Sequence, residues 1–295
     1  MKHRFNINKI AKISIQKKNV NQFLRKYSKL NETQIIKASY DFQAGSYVKM
    51  YKYKRSYKNL KDLIKEINLT KFSTFLDFGG GELTNFHTIL RNIKNLKSKI
   101  FFCCDLSFLR IYHGVEFLKK KKHSLNNMNF FVNNGVDIPL PDSSIDLVTT
   151  CHVIEPNKTG ASKIIKELYR ITKKKLILLE PDNTLIQTNN RLKKKINNRF
   201  NKHNYVKNID SKLKKLNINF KKIELENHFN KLNPASIFII KKNKKKTNKP
   251  YFLNPFKKND KLFKTKNYYF SKKNDRKFNI INGIALFNKN ESLIG

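Results

Sequence analysis

The residues best suited to chemistry lie between Asp77 and Glu155. Asp77 closes an apolar run and is followed, two residues later, by Gly79, Gly80 and Gly81 in the stretch FLDFGGGELTNF. The chain has nine glycines in 295 residues, so one turn holds a third of them. Without a Cβ, such a turn lets backbone approach a ligand closely. A second acid, Asp105, ends the apolar run FFCCDL, and a third cluster, CHVIEPN, brings Cys151, His152 and Glu155 to the end of another. His152, with an ordinary pKa near 6.5, is the natural general base; a structural histidine bonded to a loop carbonyl is the other reading. Glu155 would orient it, meet a cationic ligand, or cap a helix. Cys151, in apolar surroundings, reads as a packed thiol.

These residues need elements to hold them. From residue 72 the chain alternates strand and helix patterns. STFLDF, KIFFCCDL, MNFFVNN, SSIDLVTTCHV and KLILLEPD read as strands. LTNFHTILRNIKNL, FLRIYHGVEFLKKKK and ASKIIKELYRITKK read as helices, and DSKLKKLN, FKKIELENHF and ASIFIIKK as a further helix and two strands. That alternation predicts an α/β fold with a parallel sheet and helices on both faces; the fold class expected for the whole, with the resemblance given below, is a Rossmann-like doubly wound sheet, mostly parallel with an antiparallel last strand. Ligands of such sheets bind beyond the carboxyl ends of the strands, where Asp77, Asp105 and His152 fall. Residues 1–70 predict a helical cap that includes the Tyr-rich YDFQAGSY, whose Tyr40, Gln43 and Tyr47 would close over the site or pack the cap on the core. The expected boundaries are 1–70 for the cap, 71–242 for the main domain, 243–250 for a basic linker and 251–295 for a small β-rich unit.

Two common phosphate-binding loops do not fit the glycine turn. The dinucleotide fingerprint needs a third glycine where Thr84 stands, and the Gly-Lys-Ser/Thr of a Walker loop is absent. LDFGGGE instead resembles the first motif of class I S-adenosylmethionine-dependent methyltransferases, although Leu83 stands where that family often has another glycine. The resemblance implies that Gly79, Gly80 and Gly81 pack against the methionine part of the cofactor and that Asp77 holds its amino-acid end. A carboxylate suits a ligand that carries an ammonium and a sulfonium, and would repel a pyrophosphate. The same resemblance puts the ribose hydroxyls on Asp105, with Leu106 beside it; an acidic N-cap is the competing role for Asp105. The stretch VNNGVDIPLPDSSIDLVTTCHVIEP resembles the third-to-fourth strand region of the small-molecule group, known as type 11. There the adenine-contacting acid falls on Asn134, an amide carbonyl that still accepts a hydrogen bond. Gly135, Val136 and Cys151 complete the implied cofactor contacts, and KELYRI before the fifth strand fits the same pattern.

The implied activity is methyl transfer to a small-molecule or sugar-type acceptor, with His152 and Glu155 as the catalytic candidates. CHVIEPN lacks the Asn/Asp-Pro-Pro-aromatic motif of amine methylation on DNA bases and the Pro-Cys pair of pyrimidine-carbon methylases. An RNA acceptor is the alternative, as is a cofactor-binding scaffold without catalysis. The net charge of +42 is nearly all Lys, accompanied by abundant Asn and Ile as in AT-rich coding, and is spread from end to end. About half of the 21 acids fall between Asp77 and Asp182. The charge is therefore read as solvated surface, with possible RNA binding kept as the alternative. No run of about 18 apolar residues predicts a membrane span, the basic start lacks a signal-peptide core, and three cysteines make no disulfide framework. The expectation is a cytoplasmic protein with reduced thiols and no membrane partner.

The tail carries a second resemblance. NPF, YYF and RKFNIINGIALF are similar to the small zinc-ribbon domain that accompanies several methyltransferases. Its four thiolate positions fall on Asn254, Lys257, Ser271 and Asn274, so no metal is expected. Tyr268, Tyr269, Phe270, Phe278, Ile280 and Ile284 must then hold the unit by packing; an incidental hairpin in a basic tail is the alternative.

Overall fold

The structure, a computed structural model, describes residues 20–185, 190–225, 233–242 and 248–294. The first 19 residues of the expected cap and residues 243–247 of the expected linker lie outside the described residues. Strands β1 (Thr74–Phe78), β2 (Ile100–Asp105), β3 (Met128–Val132), β4 (Ile145–Cys151), β5 (Thr172–Pro181), β6 (Lys221–Leu225) and β7 (Ala235–Lys241) form the central sheet. Their order is β6-β7-β5-β4-β1-β2-β3. β1 to β5 run parallel, and β7 lies antiparallel between β5 and β6. Helices α1 (Val20–Tyr27), α2 (Glu32–Asp41), α3 (Ser46–Met50) and α4 (Tyr53–Asn68) precede the sheet. Within it come α5 (Thr84–Leu90), α6 (Phe108–Lys120), α7 (Ala161–Ile171), α8 (Asn190–His203) and α9 (Ile209–Lys215).

The strands are apolar on both faces because helices cover both. Side chains alternate across a strand, so Leu76, Phe78, Phe102 and Cys104 enter one core, and Phe75, Phe101 and Cys103 the other. Asp77 shares the face of Phe75 and is 4% exposed. Burial pushes the thiols of Cys103 and Cys104 far above their ordinary pKa, so both are inert and protonated. Helix α4 presents Ser56, Leu60, Leu63, Ile64 and Ile67 to the interior at helical spacing.

Two helices are shorter than their patterns predict. The first ends at Leu90, where Asn92 donates its amide to the Thr88 carbonyl at 2.7 Å and competes with the next turn. The second ends at Ile171: the Thr172 hydroxyl takes the Leu168 carbonyl at 2.6 Å, Thr172 turns extended, and Lys173 and Lys174 join β5 instead. Helix α8, rich in Lys, Arg and Asn, was not anticipated from the sequence pattern.

The C-terminal segment forms β8 (Leu253–Asn254), β9 (Lys257–Lys264), β10 (Tyr268–Ser271), β11 (Arg276–Ile281), β12 (Ile284–Leu286) and β13 (Leu293–Ile294). β9, β10 and β11 are an antiparallel meander, whereas β12 pairs parallel with β3 and extends the central sheet. Rings seal the junction: Phe252 stands 5.3 Å from Phe131 of β3 and 4.7 Å from Phe287, and Tyr269 and Phe278 are buried with them. Three of the four positions that the ribbon resemblance gives to ligands meet in a hydrogen-bonded knot. Asn254 donates to Asp260 at 2.9 Å and to Asn274 at 3.2 Å, and the Ser271 hydroxyl donates to Asp260 at 2.6 Å. Lys257 is exposed outside it. Among the described residues no group of three or more His, Cys, Asp or Glu could hold a metal ion. No described helix is long and apolar enough to cross a membrane.

The knot generates a stability prediction. Asp260→Ala strands the buried Asn254 and Ser271 donors, each worth about 1–3 kcal/mol when unmet. Scanning calorimetry should show Tm lowered by roughly 4 °C or more, with wild-type Tm unmoved by added zinc. An unchanged Tm in the variant would show that the knot contributes nothing.

Candidate active site

The carboxyl ends of β1, β2, β4 and β5 each bring a carboxylate or its neighbour to one edge. At the end of β1 the chain turns sharply at Gly79 (φ +73°) and Gly81 (φ +53°), with Leu83 also left-handed at φ +54° as the N-cap of α5. The protein's own side chains crowd part of the turn. A Cβ on Gly79 would stand 2.3 Å from Val153, and one on Gly81 2.4 Å from the Arg110 guanidinium. The glycines therefore answer to Val153 and Arg110 as well as to any ligand.

Asp77 accepts from the Thr149 hydroxyl at 3.3 Å through Oδ1, while Oδ2 is buried with no hydrogen-bond partner. Burial, opposed by Thr149 and assisted by the nearby Asp105 charge, raises its pKa to about 7. Asp105 receives the Gly81 N–H on Oδ2 and the Ser107 N–H on Oδ1, each at 2.9 Å. It braces the turn, and the N-cap of α6 is Ser107. A carboxylate has about four lone-pair sites, so Asp105 retains acceptor capacity. Asn134 caps its own loop by accepting from the Val136 N–H at 3.0 Å, and the Phe78 ring packs against Gly135. Leu106 is half-buried next to Asp105.

A cleft of about 1340 Å³ opens between the glycine turn and the N-terminal helices. Of the residues singled out from sequence, Gly79, Gly80, Cys151, His152 and Glu155 line it, as do Tyr40, Gln43 and Tyr47 of the cap. Asp77, Gly81, Asp105, Leu106, Asn134, Gly135 and Val136 lie behind the turn or beyond it and do not line it. His152 sits at φ +57°, a conformation costly for a residue with a Cβ. Its N–H donates to the Leu179 carbonyl at 2.9 Å, and its Nδ1 lies 3.2 Å from Glu155 Oε2. Asn233 Nδ2 donates to the same carboxylate at 3.3 Å. Burial disfavours the imidazolium, but the Glu155 hydrogen bond and charge, with Glu180 behind, hold the His152 pKa above its ordinary value. Asn85 donates to the Cys151 sulfur at 3.4 Å, and burial keeps that thiol protonated.

Three site residues escaped the sequence reading. Glu180, fully buried at the end of β5, accepts from the Thr150 hydroxyl at 2.7 Å, from the Val153 N–H at 3.0 Å and from the Ile154 N–H at 3.0 Å. It holds the strained His152 loop, and burial lifts its own pKa to about 7. Glu82 accepts the Val48 N–H at 2.8 Å and so ties α3 to the glycine turn. Arg110 lies 3.9 Å from Glu82, with its guanidinium 4.9 Å from the Tyr40 ring and 5.0 Å from the Tyr47 ring. Each such cation–π contact contributes on the order of 0.5–2 kcal/mol. An acid ending a run of strand residues, as in LILLEPD, was the signal for Glu180; nothing in the spacing pointed to Arg110.

Residues 76–179 match the family described as a methyltransferase domain. No curated protein sequence matches the chain. Among solved structures, the fold is similar to an S-adenosylmethionine-dependent methyltransferase from Aquifex aeolicus, at 15% identity over 72% of this chain and 98% of that one, TM-score 0.47. It is also similar to magnesium protoporphyrin IX methyltransferase from Synechocystis PCC 6803 with bound S-adenosylhomocysteine, at 14% identity over 75% and 93%, TM-score 0.48. The matched segment is a methyltransferase domain, and its cofactor is S-adenosylmethionine. The residues present fit that group: a buried, unpartnered Asp77 oxygen under a glycine turn suits a cationic donor.

Gly79→Ala tests the packing of the turn. The added methyl collides with Val153 and the left-handed φ adds strain, so chemical denaturation should show a loss of about 1–3 kcal/mol. Val153→Ala in the same chain should recover part of the loss, leaving the φ penalty. Full additivity of the two changes would contradict the contact.

Proposed function

We propose that the protein transfers the methyl group of S-adenosylmethionine to a small-molecule acceptor held between the glycine turn and the helical cap. The observation that carries this is the unpartnered Oδ2 of Asp77, buried beneath a turn whose Gly79 and Gly80 floor a cleft that ends at His152 and Glu155. S-adenosylmethionine supplies a methyl carbon activated by positive sulfur. Asp77 and Gly79–Gly81 hold its amino-acid end, Asp105 with Leu106 its ribose, and Asn134, Gly135 and Val136 its adenine. Tyr40, Gln43 and Tyr47 exclude water from above, and Cys151 packs at the wall.

Positioning of the acceptor is the larger part of such a catalyst's work, on the order of 7–11 kcal/mol. Where the acceptor carries a proton, His152 takes it. Glu155 at Nδ1 favours the neutral tautomer with its proton on that nitrogen. The same proposal includes the division of the chain at residues 70, 242 and 250. A separate small core of Val20, Leu24 and Ile35 supports the cap. The Asn254–Asp260–Ser271 knot supports reading the C-terminal unit as a ribbon that does without metal.

Asp77 makes the cofactor reading testable without an acceptor. A cation bound at this carboxylate lowers its pKa from about 7, so binding releases a proton and tightens as pH rises. Between pH 6 and pH 8 the S-adenosylmethionine Kd should fall roughly tenfold. Calorimetry in buffers of different ionisation enthalpy should register the released proton, and Asp77→Asn should abolish both effects. Binding that ignores pH would remove Asp77 from the site, and no binding at all would favour a scaffold. Once an acceptor is known, His152→Ala should slow single turnover about 10²-fold or more, while an unchanged rate would retire it as base.

A further inference from the structure

The charge of this chain is uninformative where lysine carries it, because lysine is everywhere. Arginine is different: there are nine, and three of them, Arg55, Arg110 and Arg199, line the cleft. Five of the twelve tyrosines line it too, Tyr27, Tyr40, Tyr47, Tyr51 and Tyr205. Arg and Tyr supply planar, stiff contact surfaces and directed donors, the composition of a binding wall rather than of a solvated face.

The cleft is also divided by charge. Its acids, Glu82 and Glu155, are buried on the floor beside the glycine turn and His152. Its outer wall carries Lys26 from α1, Lys52 and Arg55 from the start of α4, and Arg199 and Lys202 from α8. No ion pair within 4.0 Å joins any of these five to a carboxylate among the described residues. Arg199 has its Nε buried without a hydrogen-bond partner. It stands near enough to His152 and His203 for its charge to oppose protonation of both, although the His152 pKa stays raised overall. A buried, unmatched guanidinium nitrogen costs free energy unless an acceptor reaches it.

We infer that the acceptor is an anion: a small molecule with a flat unsaturated ring and a carboxylate or phosphate, its ring between the tyrosines and its charge on Arg199 and Arg55. This rests on the methyl-transfer reading for the floor of the cleft, but the wall is tested separately. The enclosure by α1, α4 and α8 favours a small molecule over a nucleic-acid chain, and the unpaired arginines favour an anion over a neutral sugar.

The experiment uses the full chain and four probes by calorimetry: phenyl phosphate, benzoate, benzyl alcohol and benzylamine. S-adenosylmethionine is titrated in parallel. Phenyl phosphate or benzoate should bind at least tenfold more tightly than the neutral and cationic rings, and the two anions distinguish phosphate from carboxylate. The double variant Arg55→Gln/Arg199→Gln should weaken the preferred anion about tenfold or more, the usual scale for a lost charge-assisted hydrogen bond. It should leave the S-adenosylmethionine Kd within twofold. A charge-matched control, Lys193→Gln/Lys194→Gln, removes two exposed cations outside the cleft and should change neither. Equal binding of all four rings, no binding by either anion, or an equal loss in the control overturns the inference. So does a tRNA fragment that displaces the anion and loses its own binding in the arginine variant, an outcome that assigns the wall to RNA. Anion binding without S-adenosylmethionine binding supports the wall and removes the methyl donor instead.

Discussion

A carboxylate buried at the end of a strand with half its acceptor capacity unmet is the constraint around which this molecule is arranged. Asp77 stands in an interior strand of the sheet, flanked by β2 and β4, where water does not reach it. Burial of a charge is expensive unless hydrogen bonds or opposite charge compensate. Thr149 gives one bond, and the other oxygen receives none from the protein. The ends of β2 and β5 treat their acids differently. Asp105 spends its oxygens on the Gly81 and Ser107 amides, and Glu180 spends its own on the Thr150 hydroxyl and the Val153 and Ile154 amides. Three acids at the carboxyl ends of β1, β2 and β5 thus differ: Asp105 braces the turn, Glu180 holds the loop, and Asp77 keeps one oxygen without a partner.

The cap is coupled to that turn by two side chains of opposite sign. Glu82 captures the amide of Val48, and Arg110 lies between Tyr40 and Tyr47. Both start from the glycine turn or the helix that follows β2, so the cap sits on the glycine-turn side of the sheet and not merely on the core. The Ser107 hydroxyl reaches Asp41 at the end of α2 and adds a third tie. A cleft walled by these elements forms only when the cap is docked.

The sheet and the glycine turn were legible in sequence because their signals are local. FLDFGGG, FFCCDL and SSIDLVTTC each combine a strand-length apolar run with an acid or a turn. Helix ends were less legible: Asn92 and Thr172 stop their helices by side-chain bonds to carbonyls four residues back, which hydrophobic periodicity does not register. In the site, His152 and Glu155 were found because a strand end announced them. Arg110, Arg199 and Asn233 come from separate helices and loops that only the tertiary fold brings together. The glycines were read as clearance for a ligand, and Val153 and Arg110 turn out to occupy part of that clearance.

The parallel pairing of β12 with β3 also sets the order in which the molecule can be completed. Phe130 and Phe131 lie on an edge that is covered only when Ile284–Leu286 arrives, some 150 residues downstream of Val132. At about 5–20 residues per second of synthesis, that edge stays bare for on the order of ten seconds. During that interval the nascent chain displays an aromatic β-edge, the kind of surface on which like chains associate. β12 therefore acts as a late seal on the edge of the central sheet.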